Sequence, residues 1–220
     1  GYVSGMFGKW GLGAPRSEGD PMNQGFDRFY GLNCQRQSHN FYPTHVWSDR
    51  KKVQLDRKHY SHTLIADECL KFIRANKNKP FFCYVPFTIP HAAMQAPEER
   101  VAPWRKKFPE FENVTGKYGG SVIKNPVAAF AAMMTLMDED VGRILDLLEE
   151  LEIEENTLVI FTSDNGPHKE GGHKPDFFDS NGPLKGYKRD LYEGGIRVAT
   201  TAWWPGKIKK GSTSAHVAAG

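Results

Sequence analysis

Thr157-Leu158-Val159-Ile160-Phe161-Thr162-Ser163-Asp164-Asn165-Gly166 is the stretch on which the fold turns. Its first six residues are apolar or β-branched, the composition of a strand buried on both faces. Ser163 through Gly166 then stop it sharply. Upstream, Met134, Met137, Val141, Ile144, Leu145, Leu148 and Leu151 recur at helical spacing, with Asp138, Glu139, Arg143, Glu149 and Glu150 mostly off that stripe. Asn125-Pro126 supplies this helix with a cap and a first-turn proline. Further back, Pro80 to Phe87 is a second short apolar run, again the pattern of a strand buried on both faces. It is preceded by Leu64, Ile65, Cys69, Phe72 and Ile73 at helical spacing from Ser61, a plausible N-cap, to about Asn76. Helix, strand, helix, strand predicts an α/β fold: a mostly parallel, mixed sheet between helices. Residues 1–50, rich in Gly, Pro, Asn and aromatics, read as ordered loops, and 90–124 as a basic, proline-containing loop.

The bulk properties narrow the function. The chain has 220 residues, 39% hydrophobic and 25% charged, an ordinary globular composition with room for one α/β domain. A net charge of +3, scattered over short clusters such as Arg50-Lys51-Lys52, argues against nucleic acid. No apolar run reaches the ~18 residues of a membrane span. Cys34, Cys69 and Cys83 form no CxxC and no metal spacing. Cys69 and Cys83 fall in helical and strand patterns and read as core residues.

Ligands of open parallel sheets bind beyond the carboxyl ends of the strands. One predicted strand leads to His91 and the other to Asp164-Asn165. A carboxylate and an amide carbonyl are hard oxygen donors of the kind Ca²⁺ and Mg²⁺ prefer. Two glycine-flanked segments, Gly8-Lys9-Trp10-Gly11-Leu12-Gly13 and Gly182 to Arg197, place Lys9, Lys185 and Lys188 where they could face an anion. Singly, an Asp-Asn-Gly is most often a turn and a lone histidine a packed residue. Together they describe a site for a tetrahedral oxyanion, with a group to protonate what leaves.

The motifs Gly8-Lys9-Trp10-x-Leu-Gly, Gly25 to Gly31 (GFDRFYG), Pro80-Phe81-Phe82 through Pro90-His91, Met137 to Gly142 (MDEDVG), Ser163-Asp164-Asn165-Gly166 and Tyr192 to Arg197 (YEGGIR) follow one another as in type I sulfatases, over essentially the whole chain. The sequence resembles that family. The resemblance implies an alkaline phosphatase superfamily fold and a Ca²⁺ ion held in part by Asp164 and Asn165. It further implies a sulfate held by Lys9, His91 and Lys188, with Lys185 as rival for the last role. The family's nucleophile is a formylglycine made from Cys or Ser in a Cys/Ser-x-Pro/Ala-x-Arg motif. No such motif and no Asp-Asp pair occur here. The chain therefore reads as residues 1–220 of one sulfatase catalytic domain, an internal fragment without the nucleophile motif or the C-terminal subdomain, inactive alone.

Where the family commonly carries a histidine, two residues after the first lysine, this chain has Gly11. His39 is the candidate to replace it, the alternative being a surface-loop histidine. Ser38, His168 and His173 are candidates for contacting a sugar; a mobile loop with incidental histidines is the alternative for the last two. The expected activity is hydrolysis of sulfate esters on a sulfated carbohydrate, in a periplasmic or extracellular setting by resemblance. A phosphatase or phosphonate hydrolase of the same superfamily, and a non-catalytic binder of sulfated glycans, are the competing readings.

Overall fold

The computed structural model describes residues 1–217. The chain divides into two compact units, Gly1–Ile144 with Glu170–Gly172, and Leu145–Lys169 with His173 onward.

The first unit is built on a five-stranded sheet of β1 (Val3–Lys9), β2 (Arg28–Leu32), β3 (His45–Ser48), β4 (Lys51–Gln54) and β5 (Phe81–Tyr84), in the order β4-β3-β2-β1-β5. β1 runs parallel to both β2 and β5, while β3 and β4 add antiparallel. The sheet is thus mixed, with a parallel centre. Residues 1–50, expected as loops, contain three of these strands. β1 carries little sequence signal because it is an interior strand, paired on both sides: Gly5 to Gly8 are all buried, so polar residues do not alternate along it, and its two glycines dilute the apolar signal.

Helix α1 (Ser61–Asn76) lies on this sheet, burying Ile65, Cys69, Phe72 and Ile73. Its N-cap is Tyr60; the Ser61 hydroxyl instead donates to the Phe41 carbonyl, 3.1 Å. Cys69 and Cys83 meet between α1 and β5, Sγ to Sγ 3.5 Å. The expectation that β5 is buried on both faces is corrected. It sits at the sheet's edge, and Phe82 is 54% exposed, stacked on Phe26 at 6.4 Å between centroids.

The segment 90–124 is more ordered than expected of a loop. It holds α2 (Glu98–Lys107) and a hairpin of β6 (Thr115–Tyr118) and β7 (Ser121–Lys124). Pro103 inside α2 masked the helix, although Glu98 and Glu99 in the first turn and Arg105 to Lys107 in the last complement its dipole. The hairpin signal was Gly119-Gly120, a two-residue loop with both φ values positive.

Helix α3 (Pro126–Glu150) starts as read, with Asn125 Oδ1 accepting from Ala128 N at 3.0 Å. Met133, Met137 and Leu148 are buried, but Met134 is exposed: the core-facing stripe is offset by one residue toward Ala129 and Met133. Buried Asp140 on α3 meets His62 Nε2 of α1 at 2.8 Å and Arg143 at 2.7 Å. Burial would raise its carboxyl pKa, yet these two partners hold it below the usual range.

In the second unit, β8 (Val159–Phe161) pairs antiparallel with β9 (Thr201–Trp203) in a two-stranded sheet, and α4 (Glu193–Ile196) is one short turn. The strand read as buried on both faces is instead open: Ile160 is 60% exposed. Among the described residues β9 is its sole pairing partner, so its apolar composition records a surface that this unit by itself does not cover.

Candidate active site

In the first unit the parallel strands β1, β2 and β5 send their carboxyl ends to one edge. Lys9 closes β1, with its N–H donating to the Pro86 carbonyl at 3.0 Å. Beyond it Trp10 and Gly11 continue the pairing, donating to the Leu32 and Asn33 carbonyls. The chain leaving β2 forms a 3₁₀ turn at Gln37–His39. The chain leaving β5 reaches His91, whose N–H donates to the Thr88 carbonyl at 3.0 Å. There the rings of His39 and His91 stack, 4.5 Å between centroids and 3° from parallel. Tyr118, at the end of β6, presents an edge-on ring to both, at 5.5 Å and 5.7 Å. His91 Nδ1 donates to the Ala92 carbonyl, which orients the ring. Ser38 is fully buried and its hydroxyl donates to the Cys34 carbonyl, 3.0 Å. This hydrogen bond closes the local turn.

In the second unit, Asp164 and Asn165 follow β8 as expected. Asp164 is exposed. Asn165 Nδ2 donates to the Gly166 carbonyl at 3.0 Å, so its oxygen is the end left to accept or ligate. A Cβ at Gly166 would lie 1.9 Å from the Gly194 carbonyl, so only glycine lets this turn lie against Gly194-Gly195. The contact is fixed by Gly166 N–H to Gly195 O, 3.0 Å, and Lys188 N–H to Pro167 O, 2.8 Å. Lys188 therefore leaves the backbone beside the Asp164-Asn165 turn. Lys185 is differently engaged: its Nζ sits over the Tyr192 ring, 4.0 Å from the centroid. Among the described residues no group of three or more His, Cys, Asp and Glu is placed to hold a metal ion. Asp164 and Asn165 are thus hard donors that fit part of a calcium ligand set, and part only.

His168 and His173 are both buried, with rings 5.0 Å apart, and His173 stacks on Phe178 at 5.9 Å. Neither lies in an open loop; both pack into the interior of the second unit. Burial, and after it the nearby His168, lower the His173 pKa to about 3. Between that value and the ordinary 6.5, the unfolded chain binds a proton that the folded chain refuses. Stability should therefore fall as pH drops through this window, by at most ~1.4 kcal/mol per pH unit. His173→Phe is expected to flatten that slope in urea midpoints taken from pH 7 to pH 4; an unchanged slope would contradict the assignment.

The model of the family described as Sulfatase matches residues 1–219. The chain belongs to the sulfatase family. Curated sulfatases similar to it include N-acetylgalactosamine-6-sulfatase of Canis lupus familiaris, 32% identical over 97% of this chain and 40% of that protein. Another is an arylsulfatase of Hemicentrotus pulcherrimus, 31% identical over 96% and 37%. Among solved structures, Ps i-CgsB in complex with k-i-k-neocarrahexaose superposes with a TM-score of 0.73 at 27% identity, covering 93% of this chain and 45% of that one. The chain thus spans about 40% of the length of the curated sulfatases it matches. The sulfatase fold is the α/β class read from the sequence. Tyr118 was missed by sequence reasoning: its one sequence signal, the Gly-Gly hairpin beside it, marks a turn and not a site. No helix among the described residues is long and apolar enough to cross a membrane.

Proposed function

We propose that this chain is part of one sulfatase catalytic domain that hydrolyses sulfate esters on a sulfated carbohydrate. Its setting is periplasmic or extracellular. The observation that carries the reading is the His39–His91 stack. It brings together two imidazoles 52 positions apart in sequence, at the same strand edge as Lys9. Lys9 and Lys188 are read as the cations that offset charge growing on the sulfate oxygens. His91 is read as the acid that protonates the leaving ester oxygen, and His39 as the base that supplies the function of the histidine absent at position 11. In the full-length enzyme the family's formylglycine supplies the nucleophile, contributed from outside these 220 residues. Calcium, held in part by Asp164 and Asn165, neutralises charge on the sulfate when bound. The names of the relatives, an N-acetylgalactosamine-6-sulfatase and a complex with k-i-k-neocarrahexaose, support a carbohydrate as carrier.

Leaving-group dependence tests the two histidine roles. A general acid matters most when the leaving oxygen is basic. His91→Ala should lower kcat of the full-length enzyme by ~10²-fold or more on a sugar sulfate, and much less on nitrophenyl sulfate. His39→Ala should lower both alike, since its proton transfer follows departure of the alcohol. The reverse pattern, or no loss in either variant, would sink the assignment.

A further inference from the structure

Beside Lys9 the first unit carries a cleft of about 700 Å³ that the sulfate chemistry does not use. Its lining includes Gly11, Leu12, Asn33, Gln35, Gln37 and Trp47, and no Lys, Arg, Asp or Glu. From this geometry we infer that the cleft is a subsite for an uncharged sugar ring next to the sulfated one, so that the substrate is a sulfated oligosaccharide. The inference rests on the sulfatase reading and sharpens its substrate.

Four observations carry it. First, the cleft adjoins the reacting groups: Gly11 is two residues past Lys9, and Gln37 opens the turn that ends at His39. Second, its chemistry is that of a pyranose, which offers an apolar C–H face and a rim of hydroxyls. Trp47 offers an indole face, braced edge-on by His45 at 6.1 Å. The amides offer hydrogen bonds, and Gln37 is held in place by donating to the His45 carbonyl at 2.7 Å. Third, the wall is held in place: buried Asn33 donates from Nδ2 to the Gly13 carbonyl at 3.5 Å, and both residues line the cleft. Fourth, position 11 is glycine on a backbone with φ of +77°, where side chains are strained, so the cleft wall there is bare backbone beside the movable tip of Gln35. The absence of Lys and Arg suits hydroxyls better than a second sulfate.

Binding is measured apart from catalysis. Saturation-transfer NMR on the 220-residue chain would use neutral tetrasaccharides of galactose and N-acetylgalactosamine as probes. Saturation of at least one ring is expected in the wild type and is lost in Trp47→Ala. It is lost equally in Gln35→Arg, which fills the cleft from a loop and leaves every strand intact. In the full-length enzyme the same variants should lower kcat/KM for a sulfated tetrasaccharide relative to nitrophenyl sulfate by about tenfold, the size of one aromatic contact. No saturation of any probe, or equal losses on both substrates, would overturn the subsite. Saturation with no hydrolysis of any sulfate ester would uphold the cleft and sink the sulfatase reading instead.

Discussion

Lys188→Ala in the full-length enzyme is expected to lower kcat by ~10²-fold or more, the loss typical of one preorganised electrostatic donor. Lys185→Ala should cost far less. The family resemblance favours Lys188, which lies five residues before Glu193 as the family's lysine does; the structure adds a physical reason. Lys188 is tied by its backbone to Pro167, 2.8 Å, beside the Asp164-Asn165 turn, whereas the Lys185 ammonium already rests on the Tyr192 ring. An ammonium that acts on charge developing in the transition state moves kcat more than KM. Steady-state kinetics of both variants decide it, and equal losses would remove the distinction.

Asp164→Ala should strip calcium from the purified full-length enzyme and reduce activity by at least ~10²-fold, a loss no smaller than that for disturbing a metal's outer shell. Asp164→Asn keeps an oxygen donor but drops its charge, and should fall between wild type and alanine in calcium retained by elemental analysis. Full calcium in the alanine variant would show that the ion, if present, is held elsewhere. The neighbouring amide is used on one side: Asn165 donates its NH₂ to the Gly166 carbonyl at 3.0 Å, and its carbonyl oxygen is the hard donor expected beside Asp164.

The long amphipathic helices were legible because their period survives in any context. α3 begins at Pro126 behind an Asn125 cap, as the sequence indicates. The sheet was less so. β1 is buried on both sides and contains two glycines, so neither alternation nor an apolar run betrays it. Val159 to Phe161 has the run, but it lies in a two-stranded ribbon with Ile160 open to solvent. Composition tells what a strand could bury and not what covers it. At the site, Asp164, Asn165 and Lys188 were read from motif order, and the turn joining their backbones explains why the glycines between them are required. His39 was named without geometry. Its stacking on His91 is a tertiary event between loops after two different strands, which no spacing rule encodes. The burial of Ser38, His168 and His173 was equally invisible, since hydroxyl and imidazole side chains serve cores and ligands alike.

The central claim is that this protein's domain breaks sulfate esters. Ion chromatography of the full-length enzyme incubated with a sulfated oligosaccharide, and in parallel with the corresponding phosphorylated sugar, tests it most directly. The account predicts inorganic sulfate released with turnover, suppressed by chelation of calcium, and little phosphate. Release of phosphate without sulfate, or of neither anion by a folded, calcium-loaded enzyme, would contradict it.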